Sequence, residues 1–114
     1  MRPYTVIIGP SATTPIREMV RMDDWGGPNI AIQVTASGAV NYTIQSSMDD
    51  PNDQAGQAVA VADMTWVNSS DTTVVGATGT KQTNYFFIPR FIGITLSSGT
   101  GTVRMTVLQS GPGV

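Results

Sequence analysis

The sequence predicts an all-β protein, a single antiparallel β-sandwich of seven or eight short strands, with a jelly-roll-like order as one option. Charged residues make up 12% of the 114-residue chain, about half of the roughly 25% usual in soluble domains. Thr, Ser, Gly and Val are abundant instead, and this mixture favours strands and turns. Turn signals recur about every 8 to 12 residues, as in sandwiches. The length suits one domain, residues 1–114, with one core.

Two strands are predicted before residue 30. The stretch YTVII, Tyr4–Ile8, is apolar and β-branched, and Gly9-Pro10 closes it. The stretch Ile16–Met22 alternates in the manner of a strand. Asp-Asp-Trp-Gly-Gly-Pro-Asn then forces a loop. Residues 1–14 also form a candidate extended N-terminal arm that reaches a neighbouring molecule.

The segment NIAIQVTASGAVNYTIQ, residues 29–45, predicts a hairpin with its turn at Ala36-Ser37-Gly38. Gly38 takes the left-handed position of that turn. This register puts every apolar residue on one face, whereas a two-residue loop would scramble the faces. The expected pairs are Val34 with Val40, Ile32 with Tyr42, and Ile30 with Ile44.

The middle of the chain is less regular. Residues 47–57 contain Asp, Pro, Asn and Gly and predict a loop. Residues 58–69 predict one strand around Met64–Val67, with a short helical turn over AVAVAD as the alternative. TTVVG and NYFFIP predict further short strands. Pro89 lacks an N–H and is expected to interrupt the ladder.

The segment RFIGITLSSGTGTVRMTVLQSG, residues 90–111, predicts a second hairpin with a type II′ turn at Gly99-Thr100. Its register pairs Leu96 with Val103, Ile94 with Met105, and Ile92 with Val107. All of these apolar residues fall on one face. The same register puts Phe91 beside Leu108 on the opposite, polar face. An apolar pair on an outward face indicates a surface for a partner.

Residues that carry chemistry are scarce. The chain has no histidine and no cysteine, which removes the commonest general base and the strongest nucleophile. Asp49, Asp50 and Asp53 could supply a carboxylate pair or oxygen ligands for calcium. However, they lie in a Pro/Asn/Gly loop where aspartate favours turns, and the spacing of a calcium loop is absent. We therefore predict no enzyme activity, no cofactor and no metal.

Two tryptophans raise the possibility of carbohydrate binding, because exposed aromatic rings stack on sugars. The alternative, which we favour, is that Trp66 belongs to the core and that Trp25 fastens a loop to the core or to a neighbour. Exposure of both rings on one face would distinguish the two interpretations.

The net charge and the scarcity of lysines on the predicted edge strands indicate which kind of partner the protein binds. A net charge of −2 without a basic stripe makes nucleic acid a poor partner. No apolar run approaches the roughly 20 residues that span a bilayer, and the apolar centre of the N-terminal segment is too short for a signal peptide. Sandwiches protect edge strands with lysines, and this chain has one lysine, Lys81. We therefore expect edges covered by other subunits in a permanent assembly.

The pattern from Trp25 to Gln109 resembles the small virion structural proteins of tailed bacteriophages. The resemblance rests on TWVN followed by a Thr/Gly-rich insert, on IPRFIGITLSSGTGTVRMTVLQ, and on GAVNYTIQSSMDDPND. It implies a decoration or cement protein on the head surface, assembled in the host cytoplasm. Such a protein clamps neighbouring major capsid subunits, often as a trimer. It carries over no catalytic residue.

Contact residues for such a partner come from the outward face of the second hairpin, from the loop that contains Trp25 and from the candidate N-terminal arm. The candidates for a protein interface are Phe91, Leu108, Trp25, Tyr4 and Ile7. A tail, baseplate or fibre component and a carbohydrate-binding sandwich module are the alternative functions.

Overall fold

The computed structural model describes residues 3–9, 16–22, 29–51 and 59–109, which form two four-stranded antiparallel sheets. The front sheet has the strand order β1-β8-β3-β6 and the back sheet the order β2-β7-β4-β5. The strands are β1 (Tyr4–Ile8), β2 (Ile16–Arg21), β3 (Ile30–Ser37), β4 (Asn41–Ser47), β5 (Val67–Asn68), β6 (Lys81–Tyr85), β7 (Phe91–Ser98) and β8 (Thr102–Gln109). The predicted all-β sandwich is confirmed.

The pairing is that of a jelly roll. Strand β1 pairs with β8, β2 with β7, β3 with β6 and β4 with β5, so the two halves of the chain pair in mirror order. The pairs β3·β8 and β4·β7 then join these ribbons into two sheets. A long hairpin rolled up in this way gives two Greek keys, which define the jelly roll.

Both predicted hairpins are wrong in their pairing. Strands β3 and β4 lie in different sheets, and so do β7 and β8. Each turn is therefore an arch that carries the chain across the sandwich. Ile32 pairs with Val107 on β8, and Tyr42 pairs with Leu96 on β7. The predicted contact of Phe91 with Leu108 does not form, because Phe91 lies on β7 in the back sheet and Leu108 on β8 in the front sheet.

The apolar faces of these strands were nevertheless predicted correctly. Alternate residues of β3, β4, β7 and β8 are buried in one core between the sheets. They are Ile30, Ile32, Val34, Tyr42, Ile44, Ile92, Ile94, Leu96, Val103, Met105 and Val107, and Val40, directly before β4, is buried with them. In an arch the two apolar faces meet across the core, whereas in a hairpin they lie side by side. Both arrangements bury the same residues.

Glycines allow two turns and the end of β1 to stack at one end of the sandwich. Gly99 has φ 103° and lies against the carbonyl oxygen of Ala39. Gly101 lies against the carbonyl oxygen of Ser37 and donates its N–H to Ala39 O at 2.9 Å. Gly9, after β1, lies against the carbonyl oxygen of Gly101. A side chain at any of these positions would meet backbone, so the stacking of the arches requires glycine.

The connecting segments differ from the predictions. Residues Val61–Asp63 form a short 3₁₀ turn, which agrees with the alternative given for AVAVAD. Residues Thr72–Val74 form another where TTVVG was expected to be a strand, while β5 is two residues long and β6 begins at Lys81. Residues 4–8 of the candidate arm form β1, paired with β8 within the sandwich. Hydrogen bonding by Asp71 explains one 3₁₀ turn, since its carboxylate accepts from Thr73 N at 3.1 Å.

Candidate interaction surface

A segment of the chain lies against the outer face of the back sheet, where the ring of Trp66 packs on Gly93. The covering segment, residues 48–51 and 59–66, follows β4 and returns over β7. It is fixed by Thr65 N, which donates to Asp49 Oδ2 at 2.6 Å, and by Val59 N, which donates to Asp50 O at 3.1 Å. On the same sheet, Phe91 is 5% exposed although it does not belong to the central core between the sheets. The prediction of Phe91 as an exposed interface residue is therefore wrong.

Trp66 anchors the covering segment on the sheet. Its six-membered ring lies directly over Gly93, where any side chain would collide with the ring atom Cζ3. Arg17 lies over the ring with Cζ 4.7 Å from the centroid, a cation–π geometry. The indole nitrogen is buried. Trp66 is thus partly buried on the outside of the sheet rather than in the core, and its ring is occupied by protein contacts.

Arg17 also belongs to a polar network that crosses the back sheet. Its guanidinium donates from Nε to Thr95 Oγ1 at 3.1 Å and from the terminal nitrogen to Gln45 Oε1 at 3.2 Å. Gln45 Nε2 in turn donates to Asn68 Oδ1 at 3.0 Å. The network links β2, β7, β4 and β5, so these polar groups serve the sheet itself.

Asp50 joins the covering segment to two strand ends. Its Oδ2 lies 3.3 Å from the Arg21 terminal nitrogen and 3.4 Å from Arg90 Nε. Asp50 is 8% exposed, whereas the arginine side chains are 44% and 35% exposed. The carboxylate is therefore the desolvated partner of the triad. Asp49 and Asp50 thus hold the loop in place through a hydrogen bond and ion pairs. Asp53 lies outside the described residues.

We expect Asp50→Asn to lower the free energy of unfolding by about 2 kcal/mol, since it removes the charge that two arginines share. The exposure of the arginines keeps the loss below that of a fully buried pair. Urea unfolding followed by tryptophan fluorescence measures the change. Asp63→Asn is the matched control, because Asp63 is exposed, and we expect a change within about 0.5 kcal/mol. Equal midpoints for both variants would contradict the role of Asp50.

The outer face of the front sheet is exposed and nearly uncharged. Its outward side chains form rows across the strands: Thr5–Thr106–Gln33–Gln82, Ile7–Arg104–Thr35, and Leu108–Ala31–Asn84. Arg104 is the one charged side chain in these rows. The hydroxyl oxygens of Thr5 and Thr106 lie 3.1 Å apart. We call this set the front surface.

A shallow groove follows the apolar end of the front surface. Leu108, Ala31 and Asn84 line its middle, and it extends to Phe86 in one direction and to Asp71 in the other. Hydrogen bonds from the Thr73 and Thr83 hydroxyls and from the Thr73 N–H lower the pKa of Asp71, so that this end is anionic. Phe86 is 74% exposed and Leu108 44% exposed. The groove thus combines apolar and polar contact groups.

The structure places the five predicted interface residues in different settings. Leu108 and Ile7, which is 58% exposed, lie on the front surface. Tyr4 is 56% exposed at the end of β1, on the side that faces the back sheet. Phe91 is buried, as described above, and Trp25 lies outside the described residues. Sequence reasoning missed Phe86, because NYFFIP was expected to be a strand with one buried face.

Metal binding, membrane crossing and similarity to known proteins bear on other functions. Within the described ranges, no three His, Cys, Asp or Glu side chains lie close enough together to hold a metal ion. In the same ranges no helix is long and apolar enough to cross a membrane. No protein-family model matches the chain, and no curated protein gives a significant match. A proposal for function therefore depends on the fold and the front surface.

Proposed function

We propose that this chain is a non-enzymatic structural protein of a bacteriophage virion, which binds the head surface and stabilises contacts between major capsid subunits. The observation that carries the proposal is the contrast between the two outer faces. The covering segment lies against part of the back sheet, where Trp66 packs on Gly93, whereas the front surface is exposed, nearly uncharged and apolar at one end. The jelly roll, a fold common among capsid proteins, and the resemblance to phage virion proteins support it.

Binding through such a surface depends on many modest contacts. The rows of threonine and amide side chains offer donors and acceptors at the regular spacing of a sheet, and Leu108 adds apolar area at one end. Each contact is weak, but a symmetric shell repeats it over many copies. With Arg104 as the one charge in the rows, we expect binding to depend little on salt.

Co-sedimentation with capsids assembled from the major capsid protein of the same phage tests the proposal. We expect Leu108→Glu to weaken binding at least about tenfold, because a carboxylate would lose water on docking. Leu108 is exposed in the single chain, so this variant should fold normally. Val61→Glu is the matched control, since Val61 is 57% exposed on the covering segment, and it should bind like the native chain.

Two results would count against the proposal. Absence of the native chain from the capsid pellet, with recovery on isolated tails, would favour a tail, baseplate or fibre component. Equal binding by both glutamate variants would exclude the front surface as the docking face.

A carbohydrate-binding module is the second candidate, favoured by the groove. Gln33, Gln82 and Asn84 present side-chain amides there, next to the exposed ring of Phe86. Amides suit sugar hydroxyls, and an exposed ring suits a sugar face. Trp66 does not contribute, since Arg17 lies over its ring. Glycan-array binding that Phe86→Ala abolishes would favour this candidate over the first.

A further inference from the structure

The free edges of the two sheets are protected to different degrees. The edge strands are β1 and β6 in the front sheet and β2 and β5 in the back sheet. Strand β2 carries Arg17, Glu18 and Arg21, β6 begins with Lys81, and β5 has two residues. Charge and short length both oppose the addition of a further strand. Strand β1, with the sequence YTVII, has five residues and neither a charge nor a proline.

Strand β1 is therefore suited to accept another strand. It pairs with β8 on one side, and no described strand pairs with its other side. That side presents alternate N–H and C=O groups, which are satisfied best by an extended chain. Tyr4 is 56% exposed and Ile7 58% exposed, although both are large and apolar. These backbone groups and exposed apolar side chains favour a β-strand with apolar side chains as the partner.

The sequence of β1 is complementary to itself. In an antiparallel pair centred on Val6, Tyr4 lies opposite Ile8 of the other copy, and Thr5 lies opposite Ile7. Tyr4, Val6 and Ile8 all lie on the core side of the sheet, and Thr5 and Ile7 on the outer side. Each residue therefore meets one from the same side, as the pleat requires. No like charges face each other, and β-branched pairs favour such ladders.

We propose that two copies of this chain associate through their β1 edges about a two-fold axis at Val6. The two front sheets then form one continuous sheet, with four strands from each copy. This is a closed, isologous contact, because the same edge serves both partners. It goes beyond the proposed function and does not depend on it. It also differs from the trimer that the phage resemblance implies, so the mass of the particle separates the two.

Size exclusion with light scattering on three chains tests the pairing. The native chain should give twice its mass of 12.0 kDa. Thr5→Glu with Ile7→Glu should give the mass of one chain, because two glutamates face each other at each of two positions in the pair. Thr5→Lys with Ile7→Glu should restore the doubled mass, since each introduced lysine then faces an introduced glutamate. In both variants the glutamate at position 7 also lies beside Arg104, which favours normal folding.

The other edge of the same sheet supplies the control. Gln82→Glu with Asn84→Glu places the same charges on the outer side of β6, and the doubled mass should persist. Circular dichroism checks that each variant keeps its strand content. A loss of the doubled mass in this control would overturn the assignment to β1.

A cysteine variant measures the register independently. The native chain has no cysteine, so Val6→Cys introduces one thiol at the two-fold axis, where the paired Cα atoms are about 4.5–5.5 Å apart. Such a pair can form a disulfide. In Ile7→Cys the two thiols are diagonal neighbours, about 7–8 Å apart. We expect mild oxidation to cross-link Val6→Cys at least about tenfold faster than Ile7→Cys.

Three results would overturn the pairing: a native mass of one chain at millimolar concentration, a native mass of three chains, or equal masses for the two Thr5/Ile7 variants. None of them affects capsid binding by the Leu108 surface, which the co-sedimentation experiment tests separately.

Discussion

Gly99→Ala is expected to lower the free energy of unfolding by about 3 kcal/mol. Gly99 has φ 103°, a conformation that alanine adopts only with strain. A methyl group there would also overlap the carbonyl oxygen of Ala39, which belongs to the neighbouring arch. Relief would require the β7–β8 arch to move away from the β3–β4 arch. Because both arches carry core strands, the loss should appear in global unfolding.

Urea unfolding of Gly99→Ala beside Gly79→Ala isolates this effect. Gly79 has no positive φ, and no atom lies within 4 Å of an added Cβ there. We expect Gly79→Ala to change the free energy of unfolding by less than about 1 kcal/mol, with either sign. A similar midpoint for the two variants would contradict the stacking of the arches.

Tyr42→Ala is expected to lower the free energy of unfolding by about 4 kcal/mol, because it removes a large side chain from the core. Tyr42 is fully buried on β4, and its hydroxyl donates to Gly79 O at 2.5 Å. Its backbone also exchanges two hydrogen bonds with Ala77, at 2.9 and 2.8 Å. Burial raises the pKa of its hydroxyl, which stays protonated as the donor. The side chain thus links the core to the loop before β6.

Tyr42→Phe separates the ring from the hydroxyl. It keeps the packed ring and removes one hydrogen bond, so we expect a loss of about 1 kcal/mol. Chemical denaturation of both variants gives the two values. An equal loss in Tyr42→Phe and Tyr42→Ala would show that the ring contributes nothing, contrary to its burial.

The alternation of residues predicted the fold class and the buried face of each long strand, but it did not predict the partners. Ile92, Ile94 and Leu96 are buried in either a hairpin or an arch, since both turn the same face to the core. Turn chemistry did not separate the two possibilities, because a glycine at positive φ serves both. The choice depends on distant strands such as β1, which takes the place beside β8 that a hairpin would give to β7.

The candidate surface was predictable in part for the same reason. Leu108 is an outward residue of a strand whose alternation was correct, whereas Ile7 was expected in an extended arm and lies on the outer side of β1 instead. Phe91 is also outward, yet it is 5% exposed, a burial that strand alternation does not predict. The position of the covering segment depends on the packing of Trp66 against Gly93, a contact between two elements far apart in the chain. A strand position that leaves room for an indole ring differs from its neighbours in the sequence only by a glycine.

The covering segment and β1 have opposite consequences for assembly. The first places a segment of the same chain against the back sheet, and the second has no described strand on its outer side, where another chain can pair. A protein with these features is expected to present its front surface and its β1 edge to different partners. Head binding and self-pairing can then occur together, and their combination would strengthen attachment to a repeating shell.

Cryo-electron microscopy of phage particles that contain this chain tests the proposed function most directly. We predict jelly-roll density on the outside of the head, with the row of Leu108, Ala31 and Asn84 against major capsid subunits and the covering segment directed to solvent. Density for the chain in the tail, or a covering segment that faces the shell, would contradict the proposal.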